Sequence, residues 1–461
     1  MASTNLPPRP GFEVNESRHP VARHEFANSV LAIGILTILL FGPLAFGYVH
    51  FWAIFILEAG TAALLLLWTW TRVAETEVRV LTNPLFGPMA AFAAVIAIQI
   101  IFGLSAYRYA TISKALLYCA YAALCFLTAQ CKLRKIEVKH LAVVISAYGF
   151  AIALFAVLQS LSPNGKVYWF FQPEAGGWIY GPYINHNHYA GLMEILTPVP
   201  LVLGLTKGIH GTKKAIFLFA AMLMASTIFL SGSRGGMVAF ATQIMFLAAV
   251  LSFQKDRRSG VIAASLIAII FAFLIWVGGR STTERVASIR HEAEEGLSGS
   301  LRLNINRDGM KMFAQKPLLG WGLGTFPVVY PQFRSFFSDK FINEAHNDYL
   351  QLLVETGGAG FLVMLWFLAL VYRDGMRKIK NWTRDPDGAI ALACLLACTG
   401  ILVHSFVDFN LQIPANAALF YVLCTLACSP MQPAISPGNL GKKPRSVSAK
   451  AFGKDVDCPQ T

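Results

Sequence analysis

Apolar residues occur along this chain in long runs that short polar segments separate. A helix needs about 20 consecutive apolar residues to cross the hydrocarbon core of a bilayer. Twelve runs reach that length, and each predicts a membrane-spanning helix. They lie near 27–46, 49–70, 86–104, 112–130, 138–161, 188–206, 214–231, 235–253, 260–277, 349–372, 388–411 and 413–430. We therefore predict an all-α, polytopic membrane protein with about 12 transmembrane helices.

Composition supports this prediction and excludes a soluble protein. Of the 461 residues, 55% are hydrophobic and only 14% are charged, with a mean hydropathy of +0.54. Soluble domains carry about 25% charged residues. The net charge of +13 would suit a nucleic-acid partner if it were clustered. It is spread over the loops between apolar runs, so we expect no nucleic acid and a membrane lipid environment.

The distribution of Lys and Arg predicts the orientation. With the N-terminus inside, 25 of the 38 Lys and Arg residues lie in inside segments and only four lie in the five short outside loops. The other nine lie in one long outside segment, where the positive-inside rule applies weakly. Both termini are predicted to be cytoplasmic.

These assignments divide the chain into five parts. A polar, Pro-containing arm and a basic tail are predicted to lie in the cytoplasm, and the tail's composition suits contact with anionic lipid. Two helical blocks flank a long outside loop. The parts are the disordered arm 1–26, helices one to nine at 27–277, the loop 278–348, helices ten to twelve at 349–430, and the tail 431–461.

Polar motifs converge on the outer boundary of this predicted topology. GPYINHNHYAG opens the sixth helix, SGSRGG forms the turn before the eighth, and two arginines lie in the long loop. A His-Asn pair starts the tenth helix, and a His and an Asp end the eleventh. The candidate site residues from these segments are Asn187, His188, Arg234, Arg302, Arg307, His346, Asn347, His404 and Asp408.

The arginines suit an anionic ligand. Arg234 lies between glycines in a short turn, where its guanidinium and nearby amides can face phosphate oxygens. The alternative is that Arg234 only reaches the lipid headgroups. Arg302 and Arg307 share their loop with other arginines, so each is either a ligand or a solvated charge. The amphipathic stretch after Arg302 and the Gly-rich turn behind it suggest a lid on the membrane surface.

The stretch 346–360, HNDYLQLLVETGGAG, predicts a helix with a histidine at its head. At 100° per residue, Gly357 and Gly360 fall on the same face as His346, which indicates a seam for close helix packing. His346 could then act as a base. The alternative is an ordinary helix start, with Asn347 or Asp348 as the cap.

Other polar groups leave two interpretations open. His404 and Asp408, one turn apart, form either a proton relay or a structural hydrogen bond. The eight cysteines indicate no disulfide framework, and their helically spaced pairs lack the ligands that would complete a metal site. No cofactor and no metal is predicted.

The combination of motifs resembles the O-antigen ligase and polymerase superfamily. His346 and Asn347, followed by Gly357 and Gly360, match its HNx9GxxG pattern, and the GPYINHNHYAG, SGSRGG and KPLLGWGLGTF stretches occur in the family's order. The resemblance implies a GT-C-like fold in the bacterial inner membrane. It also implies transfer of a glycan from undecaprenyl diphosphate to an acceptor hydroxyl at the periplasmic face, without a metal.

Carried over by motif, Arg234 and Arg302 resemble the family's diphosphate-binding arginines, and His346 resembles the histidine that activates the acceptor. Asn187, His188, Asn347, Arg307, His404 and Asp408 are then candidate substrate contacts. The acceptor is a lipid A core, a growing glycan or a protein, so a ligase, a polymerase and a protein O-oligosaccharyltransferase all remain possible. A secondary transporter is the alternative from another class, although transporters hold their sites near the midplane.

Overall fold

The computed structural model describes residues 19–73, 80–131, 135–173, 177–253, 299–338 and 341–429, with positions 261 and 265. Within these ranges the protein is helical, and isolated bridges replace any strand. We number the described helices in chain order. They are α1 (His19–Leu44), α2 (Phe51–Val73), α3 (Phe86–Ile101), α4 (Arg108–Gln130), α5 (Lys135–Leu161), α6 (His186–Leu196), α7 (Pro198–Leu205), α8 (Gly211–Leu230), α9 (Arg234–Ser252), α10 (Gly299–Gln315), α11 (Phe326–Val329), α12 (Asp348–Lys378), α13 (Pro386–His404) and α14 (Pro414–Cys428).

The all-α, polytopic prediction is confirmed. Eleven of the twelve apolar runs coincide with described helices, and eight spans are long and apolar enough to cross a membrane. Three further apolar helices are shorter: Asn28–Leu44, Phe86–Ile101 and Pro414–Cys428. The predicted ninth helix at 260–277, most of the arm 1–26, the first part of the long loop and nearly all of the tail lie outside the described residues. A total of twelve helices therefore stays a prediction.

Two helices form the centre of the bundle. Every residue of α6 from Asn187 to Leu196 is buried, and α13 is buried along most of its length. Small residues on α13 allow its neighbours to approach, as where Gly400 meets the side chain of Gln243 on α9. The sixth predicted span is two helices, because α6 ends at Thr197 and prolines begin α7. Side chains on α6 and at the end of α13 are consequently held in a packed interior.

Loops from both halves of the chain meet at one end of the bundle, which we call the His346 end. The hydroxyl of Tyr168 donates to the carbonyl of Leu44 at 2.6 Å, and the amide of Asp348 donates to the carbonyl of Ser405 at 3.0 Å. The ring of His186 contacts the carbonyl oxygen of Ser231 at 2.9 Å. The predicted convergence of the polar motifs follows from these contacts.

Helix α12 is broken at Gly357. This residue has φ 66° and ψ −169°, a region that essentially only glycine adopts. The amide of Gly358 donates to the carbonyl of Pro317 at 2.7 Å, and that of Ala359 donates to Leu318 at 3.1 Å. The break therefore binds the backbone of the Gly-rich segment 316–324.

Glu355 secures the other side of the same segment. Its carboxylate accepts hydrogen bonds from the amides of Gly324 at 2.9 Å and Phe326 at 3.2 Å, and Gln99 on α3 donates to the carbonyl of Leu319 at 2.5 Å. The idea of a surface lid is wrong for the Gly-rich part, because these bonds fix it to α3 and α12. The two glycines also do not form the predicted seam for a neighbouring helix. Gly357 packs against the backbone of Leu318 and Leu319, and Gly360 packs against the side chain of Thr356 in its own helix.

Adjacent glycines at the break offer a matched test. A Cβ at Gly357 would lie 2.6 Å from the amide nitrogen of Leu319 and would need the strained φ, whereas one at Gly358 would lie 3.4 Å from the carbonyl oxygen of Pro317. We expect Gly357→Ala to lower stability by at least about 1–3 kcal/mol from the backbone strain alone. Gly358→Ala should stay near wild type. Thermal unfolding of the purified proteins measures this difference. Equal unfolding temperatures for both variants would contradict a requirement for glycine at the break in α12.

Candidate functional site

A buried carboxylate lies at the centre of the His346 end. Asp408, in the loop between α13 and α14, is 1% exposed. Its Oδ1 lies 3.5 Å from Nδ1 of His346 and 3.9 Å from Nε2 of His188, and its Oδ2 lies 3.9 Å from Nη2 of Arg302. Four separate segments of the chain therefore meet around one negative charge.

The surroundings keep Asp408 ionised. Burial alone would raise the pKa of this carboxyl, but the neighbouring side chains of His346, His188 and Arg302 outweigh burial and hold the pKa well below its usual range. The amide of Phe409 also donates to Oδ1 at 2.9 Å. Asp408 is thus a permanent anion that orients cationic and titratable partners.

His346 precedes its helix instead of lying on it. Asn347 is the N-cap, and its side-chain oxygen accepts from the amides of Tyr349 and Leu350, both at 3.1 Å. His346 adopts φ 50°, in the left-handed region that is uncommon for residues other than glycine. The helical-wheel placement of His346 is therefore wrong, and the ordinary cap reading of Asn347 is confirmed. This capping bond occupies the oxygen of Asn347, which was a candidate substrate contact.

Two imidazoles pack on one aromatic ring. The rings of His346 and His188 lie 4.8 Å and 4.6 Å from that of Phe409, each in an edge-to-face arrangement. His346 keeps 12% of its side chain exposed, whereas that of His188 is 8% exposed. Phe409 fixes both ring planes while leaving an edge of His346 accessible.

Asp348 holds the loop that carries Asp408. Its carboxylate accepts from the hydroxyl of Ser405 at 2.7 Å, the amide of Leu411 at 3.1 Å and the side chain of Gln412 at 3.4 Å. The sequence suggested Asp348 only as a possible cap, because an acidic residue in a first helical turn is common for local reasons. Its long-range role has no local sequence signal.

Glu194 and His404 form a second buried pair beside the site. Nδ1 of His404 lies 2.8 Å from Oε1 of Glu194, and both side chains are at most 1% exposed. The predicted relay between His404 and Asp408 is therefore wrong, because His404 pairs with Glu194 instead of Asp408. A Cβ on Gly235 would lie 2.7 Å from Nε2 of His404, and one on Gly236 would lie 3.2 Å from Oε1 of Glu194. The pair thus supports the first turn of α9, where Arg234 begins the helix.

The remaining predicted residues differ in position. Arg234 is exposed at the start of α9, after the cap formed by Ser233. Arg302 on α10 is 30% exposed, and its Nη1 donates to the carbonyl of Val407 at 3.0 Å. Arg307 is exposed, and five residues along a helix turn it about 140° from Arg302. Asn187 is buried in the first turn of α6.

Among the described residues, no group of three or more His, Cys, Asp or Glu side chains is arranged to hold a metal ion. The polar chemistry at this end rests on arginine guanidinium groups, imidazoles and one central carboxylate.

Comparison with known proteins finds one family whose model matches part of this chain. Residues 219–365 match a family model described as O-antigen ligase. This part of the chain is similar to the O-antigen ligase family. It contains Arg234, Arg302 and His346, and it ends shortly after the break at Gly357. No curated protein matches the chain significantly.

The matched residues do not contain the whole candidate site. The match makes this part of the chain similar to the O-antigen ligase superfamily and supports a function of the ligase or polymerase type in a multi-pass membrane protein. His188 and Glu194 precede the matched residues, and His404 and Asp408 follow them. Packing of α6 and α13 against the matched part of the chain completes the cluster.

Removing the charge of Asp408 should weaken the fold. Asp408→Asn leaves the partly exposed Arg302 and the neighbouring imidazoles without their carboxylate, which should cost about 1–3 kcal/mol. Because folding lowers the pKa of Asp408, its ionised form stabilises the fold above the unfolded pKa near 4, and this is lost only as pH falls through the lower folded value. The difference in unfolding temperature from wild type should therefore not shrink between pH 8 and pH 5.

Asp374→Asn is the matched control for this measurement. Asp374 pairs at 2.8 Å with Arg373, whose side chain is 49% exposed, so its loss should change stability by less than about 1 kcal/mol. A gap for Asp408→Asn as small as that of the control would contradict a buried charge at the centre of the site.

The Glu194 and His404 pair should behave as a unit. Removing one partner leaves a buried polar group without its bond, so Glu194→Ala should destabilise by about 3–5 kcal/mol. Replacing both by apolar residues, Glu194→Leu with His404→Phe, should recover much of this loss. Thermal unfolding measures both effects. If the double variant is no more stable than the single variant, the two residues are not coupled.

Proposed function

We propose that this protein moves a glycan from undecaprenyl diphosphate to an acceptor hydroxyl at the periplasmic face of the bacterial inner membrane. The observation that carries the proposal is the convergence of His346 and Arg302 on buried Asp408, with Arg234 exposed at the same end. The similarity of residues 219–365 to the O-antigen ligase family supports the reaction class. The predicted topology supports the side of the membrane, because the short loops at this end are poor in Lys and Arg.

His346 is the proposed base for the acceptor hydroxyl. Its Nδ1 faces Asp408 at 3.5 Å, which favours the tautomer with the proton on Nδ1. Nε2 is then the acceptor for the hydroxyl proton. A separation of 3.5 Å is long for a hydrogen bond, and catalytic contacts of this kind commonly tighten when substrate binds. Asp408 would stabilise the imidazolium that forms, as a positioning residue.

The arginines are the proposed ligands of the diphosphate. Guanidinium groups remain charged and match phosphate oxygens with two parallel hydrogen bonds. Arg302 donates from Nη1 to the carbonyl of Val407, and its side chain remains 30% exposed, so part of the guanidinium is accessible to a ligand. Positive charge at Arg234 and Arg302 would stabilise the negative charge that grows on the leaving diphosphate. Attack on the anomeric carbon from the opposite side would invert its configuration.

A transfer assay tests this proposal. Purified protein would receive an undecaprenyl diphosphate-linked oligosaccharide and, in parallel, lipid A core, a second carrier-linked unit or a pilin-like protein, with EDTA throughout. We expect transfer to one acceptor, which would distinguish ligase, polymerase and protein transferase. His346→Ala should lower the rate by about 10²- to 10⁴-fold. Arg234→Ala should also abolish transfer while the protein stays inserted.

His140→Ala is the control, because His140 is an exposed histidine on α5 away from the His346 end. Near-normal transfer by His346→Ala would remove the base assignment. A folded wild-type protein that serves none of the three acceptors would contradict the proposed transfer.

A further inference from the structure

A cavity lies at the end of the bundle opposite His346. It has a volume of about 770 Å³ and lies between α5, α7, α8 and the start of α13. Small-molecule sites have volumes of about 300–1,000 Å³. Neither the candidate site nor the O-antigen ligase chemistry uses this cavity.

The cavity combines apolar walls with a basic mouth. Its walls include Phe150, Val202 and Ile390. Lys139 and Lys213, near the starts of α5 and α8, and Arg384, in the turn before α13, line its outer part. The described lining residues include one carboxylate, Asp385, so permanent positive charge is in excess.

The depth of the cavity matches one leaflet of a bilayer. On α5 its lining extends from Lys139 to Phe150, which is about 16 Å at 1.5 Å per residue. The hydrocarbon core of a membrane is about 30 Å thick, so one leaflet is about half of that. A charged group at the mouth and an apolar chain inside would both meet suitable surroundings.

We propose that this cavity binds one anionic phospholipid, with the headgroup at Lys139, Lys213 and Arg384 and an acyl chain along the apolar wall. Basic pockets between transmembrane helices are suited to anionic headgroups. The proposal does not depend on the transfer reaction at the His346 end. Its test uses lipid binding, so the two proposals fail independently.

Native mass spectrometry of the full chain in mild detergent tests the site. The probes are dioleoyl phosphatidylglycerol, dioleoyl phosphatidylcholine and inorganic phosphate. The site variant combines Lys139→Gln, Lys213→Gln and Arg384→Gln. The control variant combines Lys214→Gln, Arg377→Gln and Lys380→Gln, which removes the same charge from basic residues outside the cavity lining.

We expect wild type and the control variant to retain phosphatidylglycerol, and the site variant to retain at least tenfold less. Ala147→Trp, which fills the cavity from an exposed lining position, should also lower retention while keeping the mouth charges. Size-exclusion profiles confirm that each variant is folded.

Three outcomes would overturn the proposal. Equal loss in both triple variants would indicate a general charge effect. Equal retention of phosphatidylcholine by wild type would indicate an apolar groove without headgroup recognition. Binding of inorganic phosphate that displaces the lipid, with no effect of Ala147→Trp, would indicate a small-anion site.

Discussion

The burial of a carboxylate at Asp408 is the constraint on which the His346 end depends. A charge removed from water is tolerated only when opposite charges and hydrogen bonds replace the water. Here that requirement draws His346, His188 and Arg302 toward one point, although they come from distant parts of the chain. The same contacts that keep the anion buried also place an imidazole and a guanidinium on the two oxygens of one carboxylate, so stability and candidate chemistry share one geometry.

The break in α12 extends this constraint to the long loop. An intact helix would satisfy its own backbone and offer no amides to a neighbour, whereas the turn at Gly357 frees the amides that bind Pro317 and Leu318. Glu355 and Gln99 hold the rest of the segment. Because α10 leads directly into this segment, Arg302 is attached to the membrane bundle and can meet Asp408.

The candidate site could be predicted from sequence only in part. Chemistry and topology selected His346 and Asp408, since ionisable residues at membrane depth need a reason to be there. Arg302 was singled out from the other loop arginines by the family motif. Partners within the site could not be assigned in this way. His404 pairs with Glu194 on another helix, although Asp408 is its neighbour in sequence. Asp348 looks like a helix cap, and only the folded loop makes it a clamp.

The sequence by itself determined the class of the protein, the positions of the spans and the end at which polar motifs collect. These features follow from local properties, because twenty apolar residues form a helix in a bilayer whatever surrounds them. Only the tertiary structure decided which polar groups touch, where α12 breaks and that a basic cavity opens at the opposite end. Such contacts join residues far apart in the chain, and they depend on how close two helices come, which small residues permit but do not specify.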